Sequence, residues 1–282
     1  MNRYLRMLPV VFLVGSAVFA DEFNPAVATF DELLFHAQRY GTTELKRETK
    51  RAASQELYDR GAESLRYLMD HIHIKNIWIR ILAQQMVERL DDEEAAPVLL
   101  EFLESEHEDT RKFAVYFLGF CDTPGHADRI RPFLDEEAVG GSATRTLGKW
   151  RARDATVDIA AYLRHDEERR RVAAANALRD IGDPRAISDL IEVLNDPVFT
   201  VRNTAARALA SFGRPAEKAM IKRLKRADTV SKRAIVRTLG AMESKKARRS
   251  LRRLLRDGDA GVRADARRAL DLIESAGEKD ER

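Results

Sequence analysis

Val172-Ala173-Ala174-Ala175-Asn176-Ala177-Leu178, followed by Gly182-Asp183-Pro184-Arg185-Ala186, is the stretch whose reading decides the fold. It opens behind the basic residue Arg171, and Ala174, Leu178 and Ile181 stand three, seven and ten positions further on. Those offsets lie on one face of an α-helix. Gly182 is the kind of residue that ends such a helix, and Pro184 suits the first turn of another. The stretch predicts a helix, a tight break and a second helix.

The pattern recurs along the chain. Arg80, Arg111, Arg171, Arg202, Lys232 and Arg263 fall at steps of 31, 60, 31, 30 and 31, with Gly140 in the place of a basic residue inside the step of 60. Three positions after each mark stand Ala83, Ala114, Ala143, Ala174, Ala205, Ile235 and Ala266. The seventh position holds Val87, Leu118, Leu147, Leu178, Leu209, Leu239 and Leu270, and the tenth holds Leu90, Cys121, Trp150, Ile181, Phe212, Met242 and Ile273. A second apolar column, Leu99, Ile130, Ile159, Leu190, Ile221 and Leu251, marks the second helix of each repeat. A fixed period of this length is the signature of a stacked repeat architecture.

These residues resemble the HEAT-repeat family, in particular its short bacterial class named after phycobilisome lyases. The segments Val201-Arg202 to Leu209 and Val262-Arg263 to Leu270 carry the likeness as fully as the opening stretch. Asp196 before Arg202 and Asp257 before Arg263 match the aspartate and arginine that this family stacks into a ladder, while Arg226 takes the aspartate place before Lys232. The resemblance implies an all-α, right-handed solenoid of about seven two-helix repeats with an N-terminal helical cap. Residues 78–274 form the expected solenoid, residues 21–77 a cap (Phe30 to Tyr40) with a degenerate repeat (Arg51 to Tyr58, then Ala62 to His71), and residues 275–282 a charged tail. Fold likeness of this kind implies little about chemistry, because the family includes scaffolds, lyases and glycosylases.

Composition supports the helical reading. Apolar residues make up 44% of the chain and charged residues 34%, whereas aromatics reach only 7%. The apolar share is enough for a sizeable core, and the shortage of β-branched and turn residues disfavours sheets. Cys121 is the only cysteine, which excludes a disulfide framework and cysteine metal clusters.

Candidate chemistry is sparse. The histidines are His36, His71, His73, His107, His126 and His165. His71 and His73, two positions apart, point to different faces of a helix. The iron-binding HEAT enzyme deoxyhypusine hydroxylase uses several His-Glu pairs, but this chain has only His107-Glu108. No metal ligand set, cofactor or catalytic residue is therefore assigned. Cys121 and Trp150 occupy a core column and are read as packing residues. No Ser-His-Asp order, phosphate-cradling loop or catalytic carboxylate pair stands out.

Charge carries more information than motif. The net charge of +3 conceals a balance of −11 over residues 21–140 and +12 over residues 141–282. Lys218, Lys222 and Lys225 share one face of a predicted second helix, and Lys245, Arg249, Arg252 and Arg256 share one face of the next. Glu101, Glu104 and Glu108 form an acidic counterpart further back. Second helices line the concave side in HEAT solenoids, so the resemblance places a basic strip there. The expected function is a non-catalytic protein-interaction scaffold of the cell envelope that orients an acidic protein partner along a charge gradient. The alternatives are a binder of an anionic ligand such as a lipid headgroup or polyanion, and a HEAT-type lyase or glycosylase-like enzyme. Nucleic acid is disfavoured as a partner by the expected export.

Residues 1–20 read as an address rather than as part of the fold. Arg3 and Arg6 precede an apolar run from Leu8 to Phe19, and Val18-Phe19-Ala20 offers the small residues that a signal peptidase reads. The run is shorter than the ~20 residues a membrane-crossing helix needs. The mature chain is thus expected to be exported to the periplasm or beyond, with no transmembrane segment. Terminal sequencing of the mature protein should find Asp21 first. A cytosolic protein that retains Met1 contradicts this reading.

Overall fold

The computed structural model of the chain describes residues 23–38, 44–74 and 76–280. The proposed leader and Tyr40 lie outside these residues. After a short helix, α1 (Phe30–Gln38), the chain forms helix pairs: α2 (Glu44–Asp59) with α3 (Ala62–His71), α4 (Ile77–Arg89) with α5 (Asp92–Glu101), and α6 (Glu108–Leu118) with α7 (Ala127–Ile130). The pairs continue as α8 (Gly140–Lys149) with α9 (Thr156–Ala161), α10 (Glu168–Ile181) with α11 (Ile187–Val193), α12 (Phe199–Ser211) with α13 (Arg214–Arg223), and α14 (Thr229–Ala241) with α15 (Arg248–Leu254). A long single helix, α16 (Ala260–Asp280), follows, and no strand occurs among the described residues. The architecture is an all-α solenoid.

The repeat columns are its core. Ala83, Ala114, Ala143, Ala174, Ala205, Ile235 and Ala266 are each at 0% exposure. Val87, Leu118, Leu147, Leu178, Leu209, Leu239 and Leu270 are buried beside them. The second-helix residues Leu99, Ile130, Ile159, Leu190 and Leu251 close the other side. Ile221 departs from the pattern: it is half-buried, and Met220 occupies the core instead. Helix α13 is regular from Arg214, without the 3-10 turn Pro184–Ala186 that leads into α11. A 3-10 turn winds more tightly than an α-helix, so omitting it rotates the buried face.

The break at Gly182 behaves as its sequence indicates. Gly182 takes a left-handed conformation with φ +69°, and its N–H donates to the Leu178 carbonyl. Asp183 then accepts a hydrogen bond from the Arg185 N–H.

The degenerate N-terminal repeat is a full helix pair, and its first helix is longer than the expected Arg51 to Tyr58. It keeps the same frame, since Ala53 and Leu57 are fully buried three and seven positions after Lys50. At the other end α16 is the last helix among the described residues, and the charged tail expected from Ser275 begins inside α16.

Repeats are tied together by arginines at the marked positions. Arg171 donates to the carbonyls of His165 and Asp166 in its own loop, at 2.8 and 2.7 Å. It also bonds Asp196 in the next loop at 2.7 Å, with both side chains nearly buried. Arg111 does the same toward Ser105, Glu106 and Glu136, and Lys232 reaches Asp257 at 3.0 Å. The acid of each of these rungs is therefore held by the preceding repeat; Arg202 takes only the carbonyls of Asp196 and Pro197. The rung beyond Arg202 is missing among the described residues, because Arg226 and Ala227 stand where an acid belongs.

First helices approach closely where their sequence lacks side chains. A Cβ at Gly148 would lie 2.8 Å from the Ala177 Cα, and one at Gly240 would lie 2.8 Å from the Ala269 Cα. Backbone cannot yield as a side-chain tip can. Gly148→Ala should destabilise the fold by about 1–3 kcal/mol through overpacking, measured by urea unfolding. An unchanged midpoint would contradict the close approach of α8 and α10.

Candidate interaction surface

Second helices stack beside one another, and ion pairs span the grooves between them. Arg66 on α3 bonds Glu101 on α5. Arg129 on α7 lies 4.0 Å from Glu104, just after α5. Arg131, just after α7, bonds Asp158 on α9 at 2.8 Å, which raises the guanidinium pKa, and the Tyr162 hydroxyl donates to Asp135 across the same groove at 2.6 Å. Arg164, just after α9, bonds both Asp189 and Glu192 on α11 at 2.7 Å. Each groove up to α11 is thus crossed by a cation of one repeat and a carboxylate of its neighbour.

Beyond α11 the crossings stop. Among the described residues, no ion pair joins α11 to α13 or α13 to α15. The cause is visible in the chain. Residues 214–226 hold six Lys or Arg against the single carboxylate Glu217, and residues 245–256 hold seven and no acid. Glu192, which lines the groove between α11 and α13, is already held by Arg164.

Lys218, Lys222, Lys225, Lys245, Arg249, Arg252 and Arg256 are all exposed. They do not form one continuous strip. Lys222 and Lys225 line a groove of about 600 Å³ between α11 and α13, together with Arg223 and Arg226. Lys218 lines the next groove, about 620 Å³, with Arg214 and Lys246. Arg252 and Arg256 face α16 instead, where Arg252 lies 4.0 Å from Glu274. Arg249 lines none of these three grooves. Sequence reading missed Arg214, Arg223, Arg226 and Lys246, although the near-absence of acids over residues 214–226 and 245–256 pointed to them. The acidic counterpart is also different from its expectation: Glu101 and Glu104 are engaged by arginines, and Glu108 begins the first helix α6.

The residues considered for chemistry sit elsewhere. Cys121 is 3% exposed, and burial, with Asp92 nearby, pushes its thiol up to about 12. The Trp150 Nε1–H donates to the Cys121 carbonyl at 2.7 Å, which fixes both in the core. His73 stacks on His107 with ring centroids 4.1 Å apart, and His71 Nδ1 bonds the Tyr67 carbonyl at 2.8 Å. Among the described residues, no three His, Cys, Asp or Glu side chains gather as metal ligands. No described helix is long and apolar enough to cross a membrane.

This is a repeat solenoid, and the grooves between its second helices are open clefts on its surface. Residues 134–210 and 188–271 match the family model for HEAT repeats, so the chain carries HEAT repeats over this stretch. The sequence finds no match among curated proteins. Among solved structures it is similar to Kap121p, at TM-score 0.54 and 15% identity over 86% of this chain and 33% of that one. Kap121p bound to Nup53p matches at TM-score 0.53 and 13% identity over the same shares. This chain therefore spans about a third of Kap121p. Human deoxyhypusine hydroxylase in complex with glycerol matches at TM-score 0.34 and 16% identity, over 87% of this chain and 96% of that one.

If Cys121 only packs, Cys121→Ala should lower stability by about 1 kcal/mol through a small cavity and leave surface binding intact. Loss of binding at an unchanged melting temperature in Cys121→Ser would return the thiol to the chemistry.

Proposed function

We propose that this protein is a non-catalytic scaffold that holds an acidic protein partner on the second-helix face of its last three helix pairs. The observation that carries the reading is the end of the ion pairs between second helices at α11, beyond which Lys218, Lys222, Lys225, Arg223 and Arg226 make no ion pair among the described residues, the Glu192 that lines their groove being bonded to Arg164. Cations left unpaired on a rigid stack raise the encounter rate of an acidic partner and set its orientation. The solenoid Kap121p, similar in fold, is known in a complex with the protein Nup53p. The buried, raised-pKa thiol of Cys121 supports the absence of a thiol-based activity from this reading. The leader-like start, with Arg3, Arg6 and the apolar run to Phe19, supports placing the scaffold in the cell envelope.

A polyanion or anionic headgroup remains the second reading, since residues 245–256 carry no acid to discriminate among anions. Salt separates the two. A polyanion is lost steeply with salt and without partner preference, whereas a protein complex keeps a stoichiometric, partner-specific component.

Crosslinking in envelope preparations followed by mass spectrometry should recover a defined protein with the native chain. Lys218→Glu with Lys222→Glu should reduce its recovery at least tenfold. The control is Arg51→Glu with Arg207→Glu, two exposed cations on first helices. Arg237 and Arg268 are unsuitable controls, because Arg237 bonds the buried Asp265 at 2.9 Å and Arg268 lies 4.0 Å from it. Equal recovery with both double variants contradicts the proposal.

A further inference from the structure

The two grooves beside α13 are not merely cationic. Ile187, Ile191 and Ala219 line the α11/α13 groove, the isoleucines nearly buried and Ala219 half-buried. Pro215 and Ile221 line the α13/α15 groove, and Ile221 is half-buried because Met220 took its core place. Each groove therefore has an apolar floor, with exposed lysines and arginines along its edge. Bare electrostatic capture needs no such floor. A purely polar polyanion would leave these apolar atoms either wet or covered by charge, and burying charge on them costs free energy.

Resting on the acidic-partner reading above, we infer that the partner presents an extended acidic segment with two apolar side chains, one seated in each groove flanking α13. Carboxylates on either side of those anchors pair with Lys222, Lys225 and Arg226 at the first groove and with Lys218, Arg214 and Lys246 at the second. They supply from outside the rungs that Arg131–Asp158 and Arg164–Glu192 supply from within. Geometry sets the spacing of the anchors. Packed helices lie about 8–10 Å apart, so neighbouring grooves are separated by about that distance. A segment in the extended polyproline-II conformation advances about 3.1 Å per residue and returns to the same face every third residue, which places the two anchors three residues apart. The segment thus reads as apolar, two acidic positions, apolar, within an acidic surround.

Two fluorescein-labelled peptides test the inference by anisotropy on the full chain: one with two leucines three residues apart in an Asp/Glu background, and one of equal charge with serines in their place. The leucine peptide should bind at least tenfold more tightly. Ala219→Phe, which fills the first groove, should remove most of that advantage. Ile221→Gln should do the same from the second groove, and circular dichroism checks that each variant is folded. Lys222→Glu with Lys225→Glu should weaken both peptides. Equal affinity for the two peptides, or no effect of both groove variants, overturns the apolar-anchor inference while leaving the acidic-partner reading in place. Indifference of both peptides to the charge reversal overturns that reading itself. Preference for phosphatidylglycerol vesicles over the leucine peptide also overturns the inference.

Discussion

Every repeat depends on burying its alanine column against the next one. A helix pair of about thirty residues cannot cover its own apolar face, so its stability comes from its neighbours. Alanine at 83, 114, 143, 174, 205 and 266 keeps the facing helices close, and each is fully buried. Gly148 and Gly240 bring the backbones closer still. Where an arginine bonds both its own loop and the following loop, it also fixes neighbouring repeats in angle, as Arg171 does between His165, Asp166 and Asp196.

This arrangement leaves the outer sides of the second helices free for other work. Up to α11 they are occupied by ion pairs within the chain. Those pairs are largely exposed, and such pairs contribute little stability. Their consequence lies in what they make unavailable: a cation already facing a carboxylate attracts a partner weakly. One repeat further on, residues 214–226 carry six cations against the single acid Glu217, and ion pairs no longer cross the groove. A modest change in residue type therefore separates the internally paired part of the face from the part proposed to bind.

Much of the fold was legible in the sequence because one helical face repeats with a constant period. The columns at Ala174, Leu178 and Leu190 name their own burial, and the Gly182 turn names its own conformation. Ile221 was not legible, since the rotation of α13 depends on the absence of a 3-10 entry turn rather than on any residue in the column. The surface was harder to read for a related reason. Helical periodicity places Lys218, Lys222 and Lys225 on one helix, but only the stacking of neighbouring helices assigns Lys218 to one groove and the other two to the next. It also sends Arg252 and Arg256 toward α16. The importance of Glu192 lay in its engagement with Arg164, a contact between residues of different repeats that no single-helix pattern reveals.

Hydrogen exchange on the full chain, with and without a bound acidic peptide, tests most directly whether the face beyond α11 is the binding face. The account predicts slowed exchange in residues 187–192, 214–226 and 245–256, with residues 62–71 and 92–104 unchanged. Protection centred on residues 62–104, or on the first helices, would contradict it.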